Sequence, residues 1–187
     1  TLRALAAAAG VSHNAIYRHY GSVEDMSMDL AADFVQQLRQ GLADARATLK
    51  PGEAPTRAVV GWLFDFALQH PAHFKAAQMT RQGPPGAARD LLESHLDEVR
   101  RDMQTQLMQK GMLPSISAAD LETALAIIIE HTFTLCIRCI EGPLQREALL
   151  VRAEQGFTWV LSGAALTAAK LPPASFRAIV PGETIVV

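Results

Sequence analysis

Seven side chains within eight consecutive positions carry the most specific chemistry of this chain. Ser12, His13, Asn14, Ala15, Tyr17, Arg18 and His19 supply a hydroxyl, an imidazole, a carboxamide, a methyl, a phenol, a guanidinium and a second imidazole. Asn14 can pair bidentately with an adenine edge, His13 can donate or accept, and the Ala15 methyl can meet the methyl of thymine. Tyr17, Arg18 and His19 suit phosphate oxygens, as does the N-terminus of a helix. No Asp or Glu occurs between Thr1 and Val23, and all 19 acids of the chain come later. An acid-free end on a body that gives a net charge of −2 fits a segment facing a polyanion while the remainder is held off it. In a segment with two fixed charges, Arg3 and Arg18, chance gives the same asymmetry.

The elements that must position this set are short. Leu2 to Ala9 is Ala-rich and ends at Gly10, a natural helix terminator. Ser12 then caps a second helix over about His13 to His19, and Gly21 breaks it. Leu5, Val11 and Ile16 are placed to pack the two helices together. Two short helices joined by Ala9-Gly10-Val11-Ser12 have the spacing of a helix-turn-helix, whose second helix enters the major groove. A plain helical hairpin is the alternative, and it would leave the exposed polar set without purpose.

Behind this unit lies a chain of 187 residues, 49% apolar and 19% charged, long enough to bury a real core. Apolar residues recur at steps of three and four, so the fold class is read as all-α. Ser22 and Asp25 open a long helix with a stripe of Met26, Leu30, Phe34, Leu38 and Leu42 running towards Leu49, ended by Pro51, Gly52 and Pro55. A helix follows over about Thr56 to Gln69, with Val59, Trp62, Leu63 and Phe66 on its buried side. Pro71 stops it, and a short helix then carries Phe74 and Met79. Gly83-Pro84-Pro85-Gly86 is a loop. Ala87 to Lys110 shows a stripe of Leu92, Leu96, Val99, Met103 and Leu107, with Gly111 as terminator. Ser117 and Asp120 open a helix to Glu141, and the last runs over about Leu144 to Ala169. The β-prone segment 171–187 reads as an extended arm or as a tail of no function. No apolar run reaches the ~18 residues of a membrane span. Cys136 and Cys139 are too few for a disulfide scaffold and read as small buried side chains. With no signal peptide and no initiator Met, the expectation is a soluble cytoplasmic protein whose true start precedes Thr1.

The stretch from Ala6 to Met26, AAAAGVSHNAIYRHYGSVEDM, resembles the TetR family of transcriptional regulators. The likeness rests on the AAGVS-type turn, the Tyr-x-x-aromatic second helix and the Ser-x-Glu-Asp-Met start of the next. It implies a homodimer that binds a palindromic double-stranded DNA operator through an N-terminal domain (1–25). A C-terminal domain (26–170) would sense a small molecule and dimerise, and repression would be relieved by an apolar effector. Carried over by position, Ser12, His13, Asn14, Ala15, Tyr17 and His19 fall at DNA-facing sites. Two departures stand out. The family's first helix has no counterpart before Thr1, and Val23 occupies the place of a customary phosphate-contacting Lys.

In the body, the 117–141 helix is apolar almost all round, which suggests either an interface or the central core helix of a monomer. The resemblance places a dimer interface on the last two long helices, with Ile128, Leu135, Phe157, Val160, Leu161 and Ala164 as candidates. A sensing pocket needs apolar walls and a few polar groups. Trp62, Phe66, Phe74, Met79, Met103 and Phe133 could line it or be plain core. Arg81, Glu130, His131 and Thr134 are the polar candidates, and His131, Thr134 and Arg138 share one helical face that suits a pocket or an interface network. The stretch from His70 to Phe74, Arg81 and the Leu113-Pro114 to Leu121 junction also resemble a branch of the family that senses fatty acyl groups. This implies an acyl tunnel with Arg81 near a polar head; an aromatic drug or small metabolite is equally compatible. His70 and His73 lack a third ligand, so neither a metal nor another cofactor is expected. No catalytic motif is visible. The competing readings are a degenerate member that binds ligand but not DNA, and a helical enzyme with a scattered site.

Overall fold

The computed structural model describes residues 1–48, 55–109 and 116–169. They form α1 (Leu2–Ala8), α2 (His13–Tyr17), α3 (Val23–Ala47), α4 (Pro55–Gln69), α5 (Pro71–Gln82), α6 (Ala87–Gln109), α7 (Ala118–Glu141) and α8 (Arg146–Ala168), with a 3-10 turn at Pro143–Gln145. No strand occurs among the described residues, and the chain is all-α. The expected break at Pro51 and Gly52, the stop at Gly111, the Leu113-Pro114 junction and the 171–187 tail lie outside the described residues.

Local chemistry sets most boundaries. Ser22 Oγ accepts from the Asp25 amide at 3.0 Å and Ser117 Oγ from the Asp120 amide at 3.1 Å, so α3 and α7 start where hydroxyls satisfy otherwise orphaned amides. Pro71 opens α5 as well as closing α4, because a missing N–H costs nothing in a first turn.

Helices α3 to α8 surround one core. An aromatic row crosses it: Trp62 stacks on Phe66 at 5.1 Å between ring centres, Phe66 meets Phe34, Phe34 meets Phe74, and Phe74 meets Phe133 at 5.0 Å. A second cluster joins Ile116, Leu121, Leu125 and Ile128 to Phe157, Val160, Leu161 and Ala164 of α8. Arg146 holds both carboxylate oxygens of Asp65 and the Gly61 carbonyl, and Arg57 pairs with Glu147 and Glu154, so α4 is clamped to α8. Such exposed pairs are worth roughly 0–1 kcal/mol each and fix register more than stability.

Two expectations are corrected here. The fully buried face of α4 is Val60, Phe64 and Ala67, while Val59, Trp62 and Leu63 are only partly buried. Helix α7 does have a solvent face, formed by Thr123, Ile127, Glu130, Thr134 and Arg138. By length and composition α7 is also long and apolar enough to cross a membrane, although Glu130, His131 and Arg138 interrupt its apolar run. Nine of its side chains are buried against neighbouring helices, which accounts for its hydropathy.

Gly41 lets the α4 indole lie against the backbone of α3, since a Cβ there would sit 1.7 Å from the Trp62 ring. Gly→Ala inside a helix ordinarily stabilises by roughly 0.5–1 kcal/mol. At Gly41 the sign should reverse: Gly41→Ala is expected to cost about 1–3 kcal/mol through overpacking, read as a lower urea midpoint. In a Trp62→Leu background the same change should be neutral or stabilising. A raised midpoint with Trp62 present would show that the indole does not need this gap.

Candidate nucleic-acid interface and ligand cavity

The first candidate site is built on α1 and α2. Helix α1 closes in a Schellman turn: the Val11 amide donates to the Ala6 carbonyl at 3.1 Å, the Gly10 amide to that of Ala7 at 3.3 Å, and Gly10 adopts φ +69°. Ser12 Oγ then accepts from the Ala15 amide at 3.2 Å and starts α2. Helix α2 ends at Tyr17, earlier than the spacing suggests, so Arg18 and His19 sit in the turn that follows. Ser12, His13, Asn14, Ala15, Tyr17, Arg18 and His19 are all exposed. The His13 and Tyr17 rings meet edge to face at 5.9 Å, which presents them as one projecting surface. On this unit Leu2 and Ala6 are buried, whereas Leu5 and Val11, expected to pack the two helices together, are 38% and 47% exposed.

One side-chain hydrogen bond ties the chain that follows α2 to α3, and a second ties the start of α3 to α6. The Tyr20 hydroxyl donates to Asp29 Oδ2 at 2.7 Å, and that bond chiefly raises the phenol pKa above its ordinary value. Glu24 Oε1 accepts from the Ala88 amide at 3.3 Å, placing a carboxylate at the positive end of α6. The first turn of α3 is thereby tied to the first turn of α6.

The second candidate site is a cavity of about 220 Å³ between α3, α4, α5, α6, α7 and α8. Its depth is apolar, with Val60, Phe74, Phe133 and Cys136 buried. Burial pushes the Cys136 thiol pKa up, so it is a neutral wall rather than a nucleophile. The polar linings Arg46, Thr56 and Gln106 come from the last turn of α3, the first of α4 and the last of α6, at the end of the bundle away from α1 and α2. Thr132 also lines it, but its hydroxyl donates to the Ile128 carbonyl at 2.7 Å.

Of the pocket candidates, Phe74, Met103 and Phe133 line this cavity. Trp62 and Phe66 face an open polar groove on the other side of α3 and α4, and Met79 is 73% exposed. Glu130 and Thr134 lie on the outer face of α7, and His131 packs beside Gly156 of α8. Burial first, then Arg152 and Arg138, hold the His131 pKa below its ordinary value. Arg81 lines a separate small void rather than the large cavity. Its Nε donates to Glu93 at 2.9 Å, its Nη2 pairs with Glu130, and its guanidinium lies 4.7 Å from the Phe133 ring centre. Burial opposes its charge, but the two acids more than offset this and raise its pKa. Nη1 is buried without a hydrogen-bond partner among the described residues.

Of the interface candidates, Ile128 and Leu135 are 2% and 1% exposed inside this chain, so neither has surface left for a second copy. Ile128, Phe157 and Leu161 line the cavity, while Val160 and Ala164 pack partly buried against α7. The apolar surface that α7 and α8 do present is Ile127, Val151 and Trp159, the last 72% exposed. Spacing missed Arg46, although it continues the step of four through Phe34, Leu38 and Leu42. No group of three potential metal ligands occurs among the described residues.

No family model matches the chain. The fold is similar to the crystal structure of a transcriptional regulator from Rhodococcus sp. Rha1, with a TM-score of 0.65 and 21% identity over 88% of this chain and 87% of that one. The likeness is one of fold.

The Arg81 cluster makes a prediction about packing against charge. Glu93 and Glu130 are partly exposed and can rehydrate if the cation is lost, so Arg81→Met should remain close to wild type. Arg81→Ala, which also empties space beside Phe133, should be less stable than Arg81→Met by about 2–5 kcal/mol in urea unfolding. Equal stability of the two variants would assign the whole effect to the charge.

Proposed function

We propose that this chain is a ligand-responsive transcriptional regulator of the TetR type. It binds a palindromic operator as a homodimer and is released from it by an apolar effector. The observation that carries the reading is the capped, acid-free prong on which every candidate base- and phosphate-contacting side chain is exposed. The likeness in fold to a transcriptional regulator supports it, and so does the apolar cavity in the body. Dimerisation is proposed through α7 and α8, where Ile127 and Trp159 are open to solvent.

The mechanism follows from α3. Its C-terminal half supplies Leu38, Leu42 and Arg46 to the cavity wall, and its first turns hold the prong through Asp29 and meet α6 through Glu24. A ligand that shifts the wall of α3 therefore re-aims α2. Two symmetric α2 helices must stand roughly 34–36 Å apart, or a multiple of it, to enter successive major grooves, so a change of a few ångströms releases DNA. The energy available is the ligand's difference in affinity for the two arrangements.

Gel shifts of the full-length gene product against its own promoter DNA at two salt concentrations test the reading. Specific binding with a steep salt slope is expected. Tyr17→Ala should weaken all sequences together, while Asn14→Ala should relax discrimination at one base pair by about 1–3 kcal/mol. A folded protein that ignores DNA at low salt would instead favour a ligand-binding protein without an operator.

A further inference from the structure

We infer that the cavity takes a monoanionic amphiphile, with its apolar body towards Phe74 and Phe133 and its anionic head at Arg46. This rests on the reading of the cavity as a ligand site and adds the chemical class and orientation of what enters it.

The argument is one of charge placement. Among the described residues, Arg46 is the only charged one lining the cavity, and it has no carboxylate within 4.0 Å. Asp102 flanks an adjoining outer groove that Arg46 also borders, but it forms no ion pair with it. The Gln106 side chain makes no hydrogen bond among the described residues and lies at the same end, as does the Thr56 hydroxyl. The opposite end is closed by side chains that cannot hold a charge: Val60 and Phe74 at 0% exposure, and Cys136 with its thiol neutral. The other cation near the cavity walls, Arg81, lies behind Phe133 in its own void and is shared by Glu93 and Glu130. One guanidinium between two carboxylates leaves a net negative cluster, which would repel an anionic head directed inward. A head therefore stays at the outer end, where a half-buried guanidinium and a carboxamide await acceptors, and the apolar body fills the depth. A cationic amphiphile meets the wrong sign at Arg46, and a neutral one leaves the guanidinium unpaired.

The test is calorimetric titration of the full chain with three probes sharing one tail, decanoate, decanol and decyltrimethylammonium, each below its micellar concentration. Wild type should bind decanoate on the order of tenfold more tightly than decanol, the increment of one charge-assisted contact, and the cation most weakly. Arg46→Gln should abolish the preference for decanoate over decanol, with an unchanged helical circular dichroism spectrum and urea midpoint showing that the variant is folded. Equal binding of decanoate and decanol by wild type, or a preference that survives in Arg46→Gln, overturns the inference but leaves the cavity as a ligand site. If none of the three probes binds, the ligand-site reading falls, and the inference with it.

Discussion

Arg81 is the one charged residue among those described that the fold withdraws almost wholly from water. A buried guanidinium persists only where acceptors and a polarisable surface replace its hydration. Here those replacements come from two other helices: Glu93 on α6, and Glu130 with the face of Phe133 on α7. The constraint therefore fixes α5 against α6 and α7 together. It also sets Phe133, and through it Phe74, as the closed end of the cavity. A sealed apolar void of about 220 Å³ would cost on the order of 5 kcal/mol, comparable with the whole stability of a domain. An opening to solvent lessens that cost. Retention of the hollow is nonetheless more readily understood if something occupies it.

The same geometry links the two candidate sites without a long chain of inference. Helix α3 is one unbroken helix of 25 residues. Its first turns carry the bonds to the prong and to α6, and its last turns form the cavity wall. Helix α6 repeats the arrangement, with its N-terminus at Glu24 and its C-terminal half lining the cavity. In the proposed mechanism, a displacement of either helix at the cavity is carried to its other end along the continuous hydrogen-bonded helix. The polar end of the cavity lies far from the prong, so the proposed head group and the proposed DNA surface do not compete for the same cations.

Much of this architecture could be read before any coordinates. The Gly10 turn, the Ser12, Ser22 and Ser117 caps, the stop at Pro71 and the order of the helices all follow from interactions within a few residues. The stripe Phe34, Leu38 and Leu42 was legible because helical periodicity is strict. The exposed polar set on α2 was legible too, since an apolar core has no place for it. What failed was the allocation of apolar residues among core, cavity and surface. Trp62, Phe66 and Met79 have the composition of pocket walls but face elsewhere. Ile128 and Leu135 have the composition of an interface but are buried within the chain.

The physical reason lies in the range of the forces. Caps, turns and helical period are local, so the amino-acid order settles them, together with the all-α class and the chemistry carried on α2. A cavity is a property of several helices at once, and periodicity gives the face of each helix but not the rotation at which six of them meet. Arg46 shows the difference most plainly. In sequence it is a surface cation one step beyond an apolar stripe, and it becomes a cavity residue through the way α4 and α6 close beside it. Arg81 shows the converse, a pocket candidate by sequence whose charge is consumed by acids 12 and 49 positions away.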